Sequence, residues 1–145
     1  MFEDVSDLSA GTAAEHLVCA DILLRGHRAF LAEQICPYDV IAEIKGGKLI
    51  RIQVKATRAP RNIPQRVSEI PSYMWHIRRT GKGGVRVYKD DEFDVLALVA
   101  LDIKEIAYVL PEHKSQTFHI RPPGTERGKQ FEDYPFEKIE EAFRS

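Results

Sequence analysis

Apolar and polar residues alternate through the stretch from Tyr38 to Lys55. In Leu49-Ile50-Arg51-Ile52-Gln53-Val54-Lys55, Ile50, Ile52 and Val54 leave one face of an extended strand, and Arg51, Gln53 and Lys55 leave the other. A second arm, Tyr38-Asp39-Val40-Ile41-Ala42-Glu43, precedes it, and Gly46-Gly47 between the two marks a β-hairpin. Register follows from charge. A two-residue turn at Gly46-Gly47 would set Asp39 opposite Val54, on the core side, and bury an unpaired carboxylate. An odd loop, Gly46-Gly47-Lys48 with a glycine bulge, instead sets Asp39 opposite Lys55 and Ile41 opposite Gln53. The odd loop is therefore expected.

The remaining pattern gives the other elements. Ala14, Leu17, Val18, Ala20 and Leu24 recur at three-to-four spacing, which predicts an amphipathic helix from about Ser9 to Arg25, capped by Asp7 or Ser9 and stopped at Gly26. Residues 1–8 read as loosely ordered. Residues 28–33 read as a first strand, and Pro37 marks entry to the hairpin. Residues 56–66, with Pro60 and Pro64 among Arg58, Arg61 and Arg66, suit an extended loop. Residues 72–80 and 85–88, joined by Gly81-Lys82-Gly83-Gly84, read as a second hairpin. The nearly unbroken apolar run in residues 93–101 predicts a strand covered on both faces. Residues 107–110 predict its neighbour, 117–120 a short edge strand, and 135–143 a closing helix with Phe136, Ile139 and Phe143 on one side.

A chain of 145 residues with 43% hydrophobic and 30% charged content has the size and composition of one soluble domain, spanning 1–145. No apolar run approaches the roughly 20 residues needed to cross a bilayer, and the acidic start lacks the flanks of a secretory signal, so a cytoplasmic setting without membrane contact is expected. Cys19 and Cys36 are too few for a disulfide framework or metal cluster and read as packed thiols. The five histidines show no zinc-ligand spacing, and Gly81-Lys82-Gly83-Gly84 lacks the helix and Lys-Ser/Thr pair of a phosphate loop.

Net charge of −1 conceals a division: residues 45–89 hold twelve Lys or Arg and one acid, a net +11 against −12 for the remainder. Such asymmetry points to a polyanion on one face. Arg58, Arg61 and Arg66 on the loop, and Arg78, Arg79, Lys82 and Arg86 around the second hairpin, are the candidate phosphate contacts. Tyr73, Trp75 and Tyr88 are interleaved with them, either to stack on bases or, for Trp75 equally, to sit in the core.

An acid at the start of one strand, a hairpin, then an acid-x-Lys tripeptide, with a Glu on a preceding helix, resembles the PD-(D/E)xK nuclease superfamily. Here the pieces are Glu15, Pro37-Tyr38-Asp39 and Gln53-Val54-Lys55. The Gly11-x-x-x-Glu15 opening and Asp94-Val95-Leu96-Ala97 resemble its small single-domain endonuclease and Holliday-junction-resolvase branches. The resemblance covers roughly residues 9–110. It implies an α/β, restriction-endonuclease-like core: a central mixed β-sheet flanked by helices, in the order helix, three strands, helix or loop, strand, with the basic hairpin added. It further implies that the helix leans Glu15 over the site.

What the resemblance implies about activity is metal-dependent hydrolysis of DNA. Mg2+ prefers hard oxygen ligands, with Mn2+ able to substitute. Asp39 is the best candidate for the central ligand, Glu15 lies beside it, and the resemblance adds the Val54 carbonyl. Lys55 would orient the attacking water and stabilise charge in the transition state. Gln53 departs from the usual second acid and offers a neutral oxygen, which favours one strongly held ion over two. Asp94 reads as a strand-start residue more readily than as a ligand, and Glu43 falls too far along the hairpin. Two cuts in a duplex or junction call for two sites, hence a homodimer or higher homo-oligomer. The main alternative is a catalytically silent module that keeps the fold and docks nucleic acid or a protein. RNA as substrate is another, since phosphate contacts carry little sugar information.

Overall fold

The computed structural model describes residues 4–62, 70–77, 79–81, 84–86, 92–111, 117–125 and 127–144, with the backbone alone at 79–81 and 84–86. Helix α1 spans Asp7–Leu24. Its cap is Ser6, whose side chain accepts the Ser9 N–H at 3.1 Å, so the helix begins two residues before the expected Ser9. Asp7 then lies in the first turn, where a carboxylate complements the helix dipole. Ala10, Ala14, Val18 and Ile22, four residues apart, are buried along one side with Cys19. The helix stops where Gly26 takes φ 91°.

The central sheet has the order β1-β2-β3-β7-β8, from β1 (Arg28–Leu31), β2 (Val40–Ile44), β3 (Lys48–Thr57), β7 (Val95–Ala100) and β8 (Glu105–Val109). All pairs are antiparallel except β3 with β7, which makes the sheet mixed. The β2–β3 loop is odd, as charge required, but it comprises Lys45-Gly46-Gly47, because Ile44 already pairs with Lys48. Gly46 and Gly47 both adopt positive φ, 108° and 91°, and the Gly47 N–H donates to the Ile44 carbonyl at 2.9 Å, which completes the turn before Lys48. Ile44 stays in the core at 5% exposure. Extending this register sets Asp39 opposite Gln53, not Lys55, and Ile41 pairs with Arg51, not Gln53. The face assignment of every residue survives, since the shift is by two.

Every residue of β7 is buried, because both faces of the sheet are covered. Val95, Ala97 and Val99 join α1, Val40, Ile52 and helix α2 (Phe136–Ala142) in one core cluster. Leu96, Leu98 and Ala100 join Tyr73, Trp75, Phe93, Ile120 and Phe131 in another.

That second cluster corrects the expected second hairpin and decides the place of Trp75. Strand β4 (Tyr73–His76) pairs with β9 (Thr117–Ile120) in a separate two-stranded sheet, so the short strand expected at 117–120 is present but has 73–76 as its partner, and 72–76 is not an arm of the basic hairpin. The small hairpin is only β5 (Arg79–Gly81) with β6 (Gly84–Arg86). The physical reason is burial: Tyr73 and Trp75, on the same side of β4, are 2% and 1% exposed and cover the apolar face of β7. The indole N–H of Trp75 donates to the Val99 carbonyl at 3.1 Å, so this ring is core and is not available to stack on a base. Among the described residues, no helix is long and apolar enough to cross a membrane.

Candidate functional site

The candidate residues come from three elements meeting at one end of the sheet: α1, the chain entering β2, and the second half of β3. Asp39 is held there by backbone. Its N–H donates to the Ile52 carbonyl and its own carbonyl accepts from Ala32, both at 2.9 Å, so it is fixed between β1 and β3. Its carboxylate Oδ2 accepts the Val54 N–H at 2.8 Å. Burial pushes the Asp39 carboxyl up, and the Val54 N–H and the Lys55 ammonium partly oppose this.

Glu15 projects from the middle of α1, half-buried. Burial first, and then the charge of Asp39, pushes its carboxyl up from 4.5 to about 7. The two acids thus lie within electrostatic reach although 24 positions separate them in sequence. Glu15 acts in turn on Cys19 one turn along: burial first, and this charge second, push the thiol up, so Cys19 is a packed neutral thiol. Gln53 is buried at 8% exposure, and Lys55, two residues on, is half-buried on the same side of β3. Structure therefore brings Glu15, Asp39, Val54 and Lys55 together, with Gln53 aligned beside Asp39. Among the described residues there is no group of three His, Cys, Asp or Glu side chains placed to hold a metal ion.

Arg51 and Asp94 were not singled out together from sequence, yet they fix the strand that carries Gln53 and Lys55. Asp94 Oδ2 accepts the Arg51 N–H at 2.8 Å and Nε at 3.2 Å, while Oδ1 accepts Nη2 at 3.1 Å. The Asp94 N–H returns a bond to the Arg51 carbonyl at 2.9 Å. Against a burial effect that acts upwards, the Arg51 contacts hold the Asp94 carboxyl below the usual range, so Asp94 is a strand-start anchor. The Arg51 guanidinium also lies over the Tyr38 ring, 5.9 Å from its centre. The signal in sequence was the position of Arg51 on the same alternating face as Gln53.

The candidate phosphate contacts divide. Arg58 pairs with Asp7 at 2.7 Å, tying the end of β3 to the start of α1. Arg61 is exposed and joins Ser72 through two backbone bonds of 2.9 Å. Arg79 and Arg86 are backbone register partners in the small hairpin. Arg66, Arg78, Lys82 and Tyr88 lie outside the described residues. Glu43 pairs with Arg28 at 3.9 Å, on β1 and away from Lys55.

No protein-family model and no curated protein matches the chain. Its fold is similar to that of a solved bacterial homing endonuclease, I-Ssp6803I, with a TM-score of 0.73, 16% identical residues, and 94% of this chain and 95% of that chain covered. What the two share is the fold, a mixed α/β arrangement with a five-stranded mixed sheet flanked by helices.

Proposed function

We propose that this chain is a metal-dependent endonuclease that hydrolyses phosphodiester bonds in DNA, with a PD-(D/E)xK type of site in which Gln53 takes the place of the second acid. The observation that carries the reading is the convergence of two partly buried carboxylates, Glu15 and Asp39, on one strand end that also bears Lys55. Fold likeness to a homing endonuclease over nearly the whole chain supports it.

Both carboxyls are pushed up by burial, and that of Glu15 also by the charge of Asp39, so a hard cation would offset the charge they carry. Glu15, Asp39, the Gln53 amide oxygen and the Val54 carbonyl would hold Mg2+, or Mn2+ in its stead. The Val54 carbonyl leaves β3 on the same edge as the amide that Asp39 binds. When bound, such an ion supplies Lewis-acid stabilisation of the phosphate and a lowered pKa for a bound water.

In the reaction the water oxygen bonds to phosphorus, one phosphorus–oxygen ester bond breaks, and the water's proton passes to solvent while the departing oxygen takes one up. The chain's part is positioning and charge. Asp39 is held by the Val54 N–H, and Lys55 orients the water and lowers the energy of the charge growing on the phosphate. Arg58, at the end of β3 beyond Lys55 and joined to Asp7, is a candidate phosphate contact. Paired cuts would come from a homodimer or higher oligomer.

Nicking of supercoiled plasmid and of a four-way junction in Mg2+ or Mn2+ tests the reading, comparing wild type with Asp39→Ala and Lys55→Ala. Metal-dependent cleavage lost in both variants is the expected result. Salt-sensitive DNA binding without cleavage would make the chain a binding module instead.

A further inference from the structure

From the arrangement of hydrogen bonds around β9 we infer that the DNA-binding surface extends from Arg61 onto Arg121, Arg127 and Lys129, as a row of cations built by backbone pairing. This rests on the nuclease reading above for its partner, duplex DNA, but on different residues for its evidence.

The row is assembled by main chain. Arg61 exchanges two backbone bonds with Ser72, and the Tyr73↔Ile120 pairing carried one step further sets Ser72 beside Arg121. The Arg121 N–H then donates to the Lys129 carbonyl at 2.8 Å. Four neighbouring extended segments thus run in the order Arg61, Ser72, Arg121, Lys129. Adjacent extended segments lie about 5 Å apart, so three cations follow a line across them. Arg121 is fixed along this line: its Nη1 donates to the Ile70 carbonyl at 2.9 Å, and its stem lies over Gly128. A Cβ on Gly128, which has φ 92°, would come within 2.9 Å of the Arg121 Cγ, so the glycine is what lets the side chain lie flat there. Lys129 Nζ stands 4.3 Å from the centre of the Phe118 ring, and Arg127 is exposed two residues away.

What sets these cations apart is their alignment by backbone pairing, and the paired arginines of the chain lie elsewhere. Arg25, Arg28, Arg51 and Arg58 each meet a carboxylate. Among the described residues no carboxylate pairs with Arg61, Arg121, Arg127 or Lys129. Glu132 and Asp133 follow closely in sequence, but Asp133 accepts the Gln130 N–H at 2.9 Å and so turns back on its own helical turn. A row of preset cations that, among the described residues, meet no carboxylate fits the backbone of a polyanion. Composition had assigned this segment to the acidic remainder of the chain, because the row is made by pairing between distant segments.

The test is the salt dependence of duplex DNA binding by the full chain with Ca2+ in place of Mg2+ to suppress turnover, comparing wild type, Arg127→Gln/Lys129→Gln and Arg61→Gln. Each lost phosphate contact should lower the slope of log K against log salt by about 0.9 and weaken binding roughly tenfold near 0.1 M salt. Far-ultraviolet circular dichroism and melting should be unchanged, as these side chains are exposed. Wild-type binding with equal affinity and slope in all variants would overturn the row while leaving the nuclease reading standing. Absence of DNA binding by wild type would overturn both. A loss confined to Arg61→Gln would restrict the surface to the loop and overturn the C-terminal extension.

Discussion

The Asp39 carboxylate accepts the backbone N–H of Val54 at 2.8 Å, so the residue proposed to hold a cation is itself held by the strand that carries Gln53 and Lys55. The contact fixes Asp39 across the hairpin, and it does so at an electrostatic cost, since burial still leaves the carboxyl pushed up. Replacing Asp39 by Asn keeps an acceptor for Val54 and removes the charge. Thermal melting in EDTA should show Asp39→Asn at least as stable as wild type, with cleavage abolished. Asp39→Ala, which leaves the Val54 N–H unmet, should be the less stable of the two variants by about 1–2 kcal/mol.

Glu15 gives the site a pH signature. Its carboxyl titrates near 7 in the folded protein and near 4.5 when unfolded. Below the unfolded value both states are protonated and the folded state suffers no penalty. Between the two values only the unfolded chain ionises, so stability falls as pH rises through this window and levels off above about 7. Glu15→Gln should match wild type at pH 4 and exceed it at pH 8, in denaturant melts performed in EDTA. Because cation binding needs the ionised form, Mg2+ added to wild type at pH 6.5 should release protons that Glu15→Gln does not.

Gln53 sets the charge of the donor group. At 8% exposure, a carboxylate in its place would be a third anion in a partly dry site. Gln53→Glu should lower stability in EDTA by at least about 2 kcal/mol and recover much of it as Mg2+ or Mn2+ is added. Isothermal titration should find tighter metal binding than in wild type.

The bidentate Arg51–Asp94 pair predicts a defect of positioning. Asp94→Ala leaves the Arg51 N–H and guanidinium without their acceptor, which should cost about 1–3 kcal/mol by denaturant melting. The Asp94 carboxyl is held low, so its contribution is present above the ordinary carboxylate range and lost as pH falls through it. The stability gap between Asp94→Ala and wild type should therefore narrow as pH falls below the ordinary carboxylate range. Cleavage should fall through a lower rate constant, with DNA affinity little changed, because Lys55 and Gln53 ride on the strand that the pair pins.

Much of this was legible locally. The apolar run at Val95–Ala100 could only be a doubly covered strand, and Ala14 and Val18 lie on the buried side of α1 as their spacing said, but Ala20 and Leu24 are exposed and Ala10, Cys19 and Ile22 complete that side instead. Even the parity of the hairpin loop was readable, because a wrong parity would have buried Asp39. Which residues closed the loop was not, since Lys45 and Lys48 flank the glycines alike and only the positive φ of both Gly46 and Gly47 places the turn. The partner of β4 was hidden for a different reason. Tyr73 pairs with Ile120 across 46 intervening residues, and nothing local to 73–76 says that its ladder lies so far away. The same non-local pairing buries Trp75, and it assembles the cationic row from segments that composition had separated.

The most direct measurement is the single-turnover cleavage rate of a labelled DNA duplex at saturating protein, for wild type and Lys55→Met, with Mg2+ and with EDTA. The account predicts cleavage by wild type in Mg2+ alone and a rate at least about a hundredfold lower in Lys55→Met, with both proteins binding the duplex. Equal cleavage by the two proteins, or cleavage that survives EDTA, would contradict it.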